Sequence, residues 1–148
     1  LGAVPDAESL ARQRLASALL FALPGMPVTF QGDECAFLGG RDGVHTARYP
    51  VQWDACDADM RAHYADLADL KRSDDALASP VLRDPDGGTV LTFFRGEPGP
   101  GELLAAFNND DAPATLTLPA GSWTDLASQQ TVSGSVQIPP LGWRYLRR

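Results

Sequence analysis

Asp33 and Glu34 are the residues of this sequence best placed to do chemistry. They follow a short apolar run, Met26-Pro27-Val28-Thr29-Phe30-Gln31, with Leu23-Pro24-Gly25 before it and Gly32 after it. Two carboxylates can share the work of cleaving a glycosidic bond, one as acid and one as nucleophile or base. In α/β proteins, reacting side chains sit just past the carboxyl ends of parallel strands, which is where this pair would fall. Against that reading, adjacent strand residues point to opposite faces, so two neighbours do not easily flank one bond. The competing role for Gly32, Asp33 and Glu34 is to brace the end of the strand.

A long polar stretch follows, with Arg41, Asp42, His45, Arg48, Tyr49, Gln52, Trp53 and Asp54. Charged groups interleaved with aromatics suit sugars, whose hydroxyls take hydrogen bonds and whose C–H faces stack on rings. Arg41, Asp42, Arg48 and Trp53 are the candidate substrate-binding residues. The alternative is that Arg41–Asp42 or Arg48–Asp54 pairs tie the loop down, with Trp53 packed beneath it. His45, His63, Cys35 and Cys56 have no compact metal-ligand spacing. Asn108-Asn109-Asp110-Asp111 lacks the spaced ligands and glycine of a calcium loop and reads as a turn. Trp123 and Trp143 fall in strand patterns, where core packing competes with a sugar platform.

Two helices and one strand must position the pair and the loop. Ala7 to Leu23 repeats Leu10, Ala11, Leu15, Ala18, Leu19 and Ala22 at helical spacing, with Asp6 as N-cap and Pro24-Gly25 as the stop. Met26 to Gln31 is predicted as a strand. Gly32 to Asp57 is a long loop, a length that is usually functional. Ala58 to Ser73 is the second helix, capped by Asp57 or Asp59. From Pro80 the texture turns to short strands separated by Gly, Pro and Asp: Val81–Arg83, Thr89–Arg95, Glu102–Asn108, Ala114–Leu118, Ser122–Ala127, Val132–Ile138 and Gly142–Arg147. The fold class read from this is an α/β part, residues 1–79, followed by an all-β antiparallel Greek-key sandwich, residues 80–148.

The 148 residues carry a net charge of −7 and are 44% hydrophobic, an ordinary globular balance. The acidity and the scatter of the 12 Lys and Arg argue against nucleic acid and anionic membranes as partners. No apolar run reaches the ~20 residues of a membrane span. The sequence begins without Met and reads as a trimmed or partial chain, and no signal peptide is visible. The expectation is a cytoplasmic location, with both cysteines reduced.

The order of these parts resembles the C-terminal third of the α-amylase family of glycoside hydrolases, which includes neopullulanases, cyclomaltodextrinases and α-glucosidases. Gly25-Met26-Pro27-Val28-Thr29-Phe30-Gln31-Gly32-Asp33-Glu34 is similar to the family's pattern on the eighth barrel strand. Arg48-Tyr49-Pro50-Val51-Gln52-Trp53-Asp54 resembles the loop after it, and Leu70-Lys71-Arg72-Ser73 the end of the eighth helix. Phe107-Asn108-Asn109, Trp123-Thr124-Asp125-Leu126 and Pro139-Pro140-Leu141-Gly142-Trp143 resemble the C-terminal β-domain. Val51, Lys71 and the Thr29-Phe30 pair depart from the usual residues and blur the subfamily.

The resemblance implies a retaining, α-glucan-acting parent, a hydrolase or transglycosidase, whose catalytic carboxylates lie upstream. This stretch would then hold no catalytic residue and no cofactor, any calcium belonging to the parent. It would close the (β/α)8 barrel, wall part of the sugar site and add a stabilising β-domain. A stand-alone carbohydrate-binding or structural β-module is the other reading. The partner would be an α-glucan or maltooligosaccharide. In isolation, the edge Met26–Gln31 is predicted to pair with a second copy, with other parts of this chain, or to be poorly ordered.

Overall fold

A computed structural model describes residues 5–37 and 50–148. Helix α1 (Ala7–Ala22) starts at Asp6, whose carboxylate accepts from Ser9 N at 2.7 Å. Helix α2 (Ala58–Ser73) is capped in the same way by Asp57 through Met60 N. Each such cap satisfies a backbone N–H that has no partner within its helix. A four-residue helix, α3 (Asp75–Ala78), follows; it was not expected from sequence and rests on Asp74, whose buried carboxylate accepts from Ala76 N and Leu77 N.

Eight antiparallel strands follow: β1 (Leu82–Gly87), β2 (Leu91–Arg95), β3 (Leu103–Asn108), β4 (Ala114–Thr117), β5 (Trp123–Asp125), β6 (Thr131–Val132), β7 (Ser135–Ile138) and β8 (Gly142–Arg147). Six form one sheet in the order β1-β2-β3-β8-β5-β6, and β4 pairs with β7 in a second. β8 lies between β3 and β5, so the last described strand runs inside the large sheet rather than at its edge. The stretch Val132–Ile138, read as one strand, splits into β6 and β7 in different sheets, with Gly134 at φ 72° between them. Asp84-Pro85-Asp86-Gly87, read as a turn, is instead part of β1, which takes up the irregularity as a bulge between Arg83 and Asp86.

β3 is buried along its whole length because both faces of the large sheet are covered. Leu103, Ala105 and Phe107 point to α1, α2 and α3, joining Leu15, Ala18, Phe21, Leu67 and Leu77 in one core. Leu104 and Ala106 point the other way, to the β4–β7 side. The two-residue side-chain period of a strand places alternate residues in separate cores. Helices and sheet therefore share a core.

Polar contacts reinforce that junction. Arg95 is fully buried on β2. Its guanidinium donates to Ala22 O at the end of α1, to Leu77 O and Ser79 O at the end of α3, and to Val81 O. Tyr145 on β8 donates to Ala18 O, and burial pushes its hydroxyl pKa far upward. Lys71 Nζ donates to Leu23 O at 2.7 Å. No helix among the described residues is long and apolar enough to cross a membrane.

The predicted strand Met26–Gln31 is not a strand here. Residues 26–30 run without ladder partners. Met26, Val28 and Phe30 are 88%, 80% and 57% exposed. Strand structure needs a neighbour to accept its backbone hydrogen bonds, and none of the described strands pairs with this segment. The cysteine expectation is also overturned: Cys35 and Cys56 form a disulfide, with Cα atoms 4.4 Å apart. The fold brings the two chain segments together, and spacing alone carried no sign of it.

Candidate functional site

Gly32 turns the chain at the end of the exposed segment. Its φ is +97°, and an added Cβ would meet the Phe37 ring at 3.1 Å, so the position requires glycine on two counts. The single helical turn Asp33–Cys35 follows. Asp33 Oδ2 accepts from Phe30 N at 3.1 Å, and Glu34 Oε2 accepts from Gly32 N at 2.9 Å. Each carboxylate folds back on its own backbone. Gln13 of α1 donates to Asp33 O at 2.8 Å, which anchors the turn to the helix.

The two carboxylates face different surfaces. Glu34 lines an open cleft of about 710 Å3, together with Phe30, Gln31, Trp53, Arg61 and Tyr64. Asp33 lines a separate depression against α1. Among the described residues each hollow is lined by a single carboxylate, which is not the two-group layout of glycoside cleavage.

Trp53 opens a short turn, Trp53–Ala55, just before α2. Its ring is 59% exposed, and the Arg61 guanidinium lies over it at 5.7 Å from the centroid. Trp53 offers a ring to the cleft, while Arg61, Gln31 and Glu34 bring polar groups. That combination can stack on a sugar face and bind hydroxyls. Arg41, Asp42 and Arg48 lie outside the described residues, as does His45. Arg61 and Tyr64, which also line the cleft, were not among the candidates read from the sequence. Arg61 read as a solvated helix position and Tyr64 as part of the apolar stripe, and α2's orientation brings both to the rim.

His63, next to Tyr64 on α2, meets Ser17 of α1 at 2.8 Å and the edge of Trp143 at 5.1 Å between ring centroids. Burial, then the Arg14 cation, hold its pKa below the usual 6.5. The unfolded chain therefore binds a proton more readily than the folded one. His63's contribution to stability is full above about pH 6.5 and is lost as pH falls through the depressed value. The melting temperature should drop as pH falls below about 6.5, and His63→Gln should flatten that part of the profile. An unchanged slope in the variant would remove His63 as the cause.

Among the described residues no group of three or more His, Cys, Asp or Glu comes together to hold a metal. The cluster Asn108–Asp111 is the end of β3 and the bend that follows it. Asn108 Nδ2 donates to Ala112 O and Pro139 O, and Asn108 Oδ1 accepts from Asp110 N. Trp123 is fully buried, with its Nε1 donating to Pro119 O at 3.1 Å. It has no face for a sugar, and Trp143 packs against the core shared by helices and sheet.

The type III pullulan hydrolase from Thermococcus kodakarensis superposes on the whole of this chain with a TM-score of 0.88 and 42% identity. The α-amylase of Streptomyces lividans is 32% identical over 143 residues, covering 79% of this chain. α-Amylase MalA of Haloarcula japonica is 30% identical over 122 residues, covering 76%. This chain corresponds to the C-terminal part of an α-amylase-family enzyme. It spans 16% and 17% of the two α-amylases and 25% of the pullulan hydrolase. No protein-family model matches it. Its antiparallel sheets with a few helices resemble the C-terminal domain of amylases, and AmyP in complex with maltose, at 16% identity and a TM-score of 0.81, shares that fold.

Proposed function

We propose that this chain is the C-terminal portion of a retaining α-glucan hydrolase or transglycosidase and does not catalyse unaided. Residues up to 79 would close a (β/α)8 barrel and wall part of its sugar site, and residues 80–148 would be the stabilising β-domain. The observation that carries this is the row Met26, Val28 and Phe30, exposed and without strand partners among the described residues. An open apolar edge is what a barrel strand leaves when its neighbours belong to another part of the protein. The same row is open to a second copy when the chain is alone. The shared core of helices and sheet speaks against a free-standing β-module with a loose helical extension. Trp53, Arg61 and Glu34 would meet the glucan, alongside Arg41, Asp42 and Arg48.

The test is hydrolysis of maltooligosaccharides by two preparations, the 148-residue chain and a full-length protein containing it. The full-length protein should release sugar with retention at the anomeric carbon, and the chain alone should release none. Turnover by the chain alone would overturn the view that its reacting groups lie elsewhere. A full-length protein inert on every α-glucan would remove the parent activity.

A further inference from the structure

The cleft has two walls made by separate stretches of chain, and each ends at a half-cystine. Thr29–Glu34 forms one wall and stops one residue before Cys35; Pro50–Trp53 lies on the other and stops three residues before Cys56. Beside the disulfide, Asp57 N donates to Cys35 O at 3.2 Å. That bond also sets the start of α2, which carries Arg61 and Tyr64 into the same cleft. A cross-link at this point fixes wall to wall. The sequence has only these two cysteines, so no other pairing within it can replace the link.

We propose that the Cys35–Cys56 disulfide is a redox-sensitive staple of this cleft: oxidised it holds the walls in register, and reduced it lets them part. The consequence for glucan affinity rests on the functional reading above; the staple itself does not. Cys35 is buried and Cys56 is half-buried, which makes Cys56 Sγ the sulfur open to attack. A thiolate of a dithiol reductant bonds to Cys56 Sγ, the sulfur–sulfur bond breaks, and Cys35 leaves as a thiolate that takes up a proton. The reductant's second thiol then displaces Cys56. Two electrons pass to the protein, which ends with two thiols, and the reductant ends as a disulfide. A bond of this kind persists in an oxidising compartment.

The experiment uses the full-length protein and its C35S/C56S double variant, with and without dithiothreitol. Acid-quenched alkylation of protein taken from its host should find the pair oxidised. Reduction should lower the melting temperature by about 2–3 °C, because a bond closing a 21-residue separation is worth about 3 kcal/mol and a full-length protein has several times the unfolding entropy of this chain. It should weaken maltooligosaccharide binding about tenfold, as expected if the walls meet one-tenth of the time. The double variant should match the reduced protein and ignore dithiothreitol. Free thiols in the host, a reduced wild type with unchanged melting, or a double variant that still responds to reductant would each overturn the staple. If melting shifts as expected but neither form binds a glucan, the staple stands and the glucan reading falls.

Discussion

Replacing Arg95 by methionine is expected to destabilise the protein by about 3–5 kcal/mol, measured by chemical denaturation. α1 has no basic residue in its last turn, so its own sequence offers no cation to the carbonyls at its negative end. Arg95 supplies one from β2, 73 residues away, and reaches the end of α3 with the same guanidinium. Methionine fills similar volume but leaves Ala22 O, Leu77 O and Ser79 O without this donor in a buried place. Each unsatisfied carbonyl costs on the order of 1–3 kcal/mol. Arg95→Lys should recover little, because one ammonium cannot hold the fork that serves two helix ends and Val81 O. A loss below about 1 kcal/mol in Arg95→Met would mean that water or a neighbour takes over these carbonyls.

Removing Trp123 should cost a similar amount, about 3–5 kcal/mol for Trp123→Ala. The ring packs with Leu104, Leu118 and Leu146 on the side of the sheet away from the helices. Arg148 covers it at 4.7 Å from its centroid, and Phe94 leans against it at 6.2 Å. Alanine would leave a cavity bordered by two strands and orphan Pro119 O. Trp123→Phe should recover part of the loss and leave the carbonyl unpaired. Glucan binding by the folded variant should not change, because the ring is enclosed. A binding defect at full stability would restore the sugar-platform reading that its burial excludes.

The strands of the β-part were legible because each is a short alternating run between Gly, Pro or Asp signals, and local rules govern such runs. Both long helices were legible to within a residue, since Asp6 and Asp57 announce their starts. Residues 132–138 misled because Gly134 breaks the run without breaking its apolar pattern, and sheet membership is a long-range choice. The site was half legible. Trp53 stands out as an aromatic among polar residues, while Arg61 and Tyr64 look like ordinary helix positions until α2 is placed against the turn after Gly32.

By its own residues the stretch Met26–Gln31 is a strand former, and Gly32, Asp33 and Glu34 are its turn. That much is local chemistry: β-branched and aromatic side chains, a glycine at positive φ, and carboxylates that reach their own backbone. Whether the stretch becomes a strand depends on a partner for its hydrogen bonds, which no residue within it can supply. Only the tertiary structure shows the edge standing open, the two carboxylates turned to different hollows, and Cys35 joined to Cys56. These are statements about which distant groups meet, and distance along a chain carries little information about distance in space.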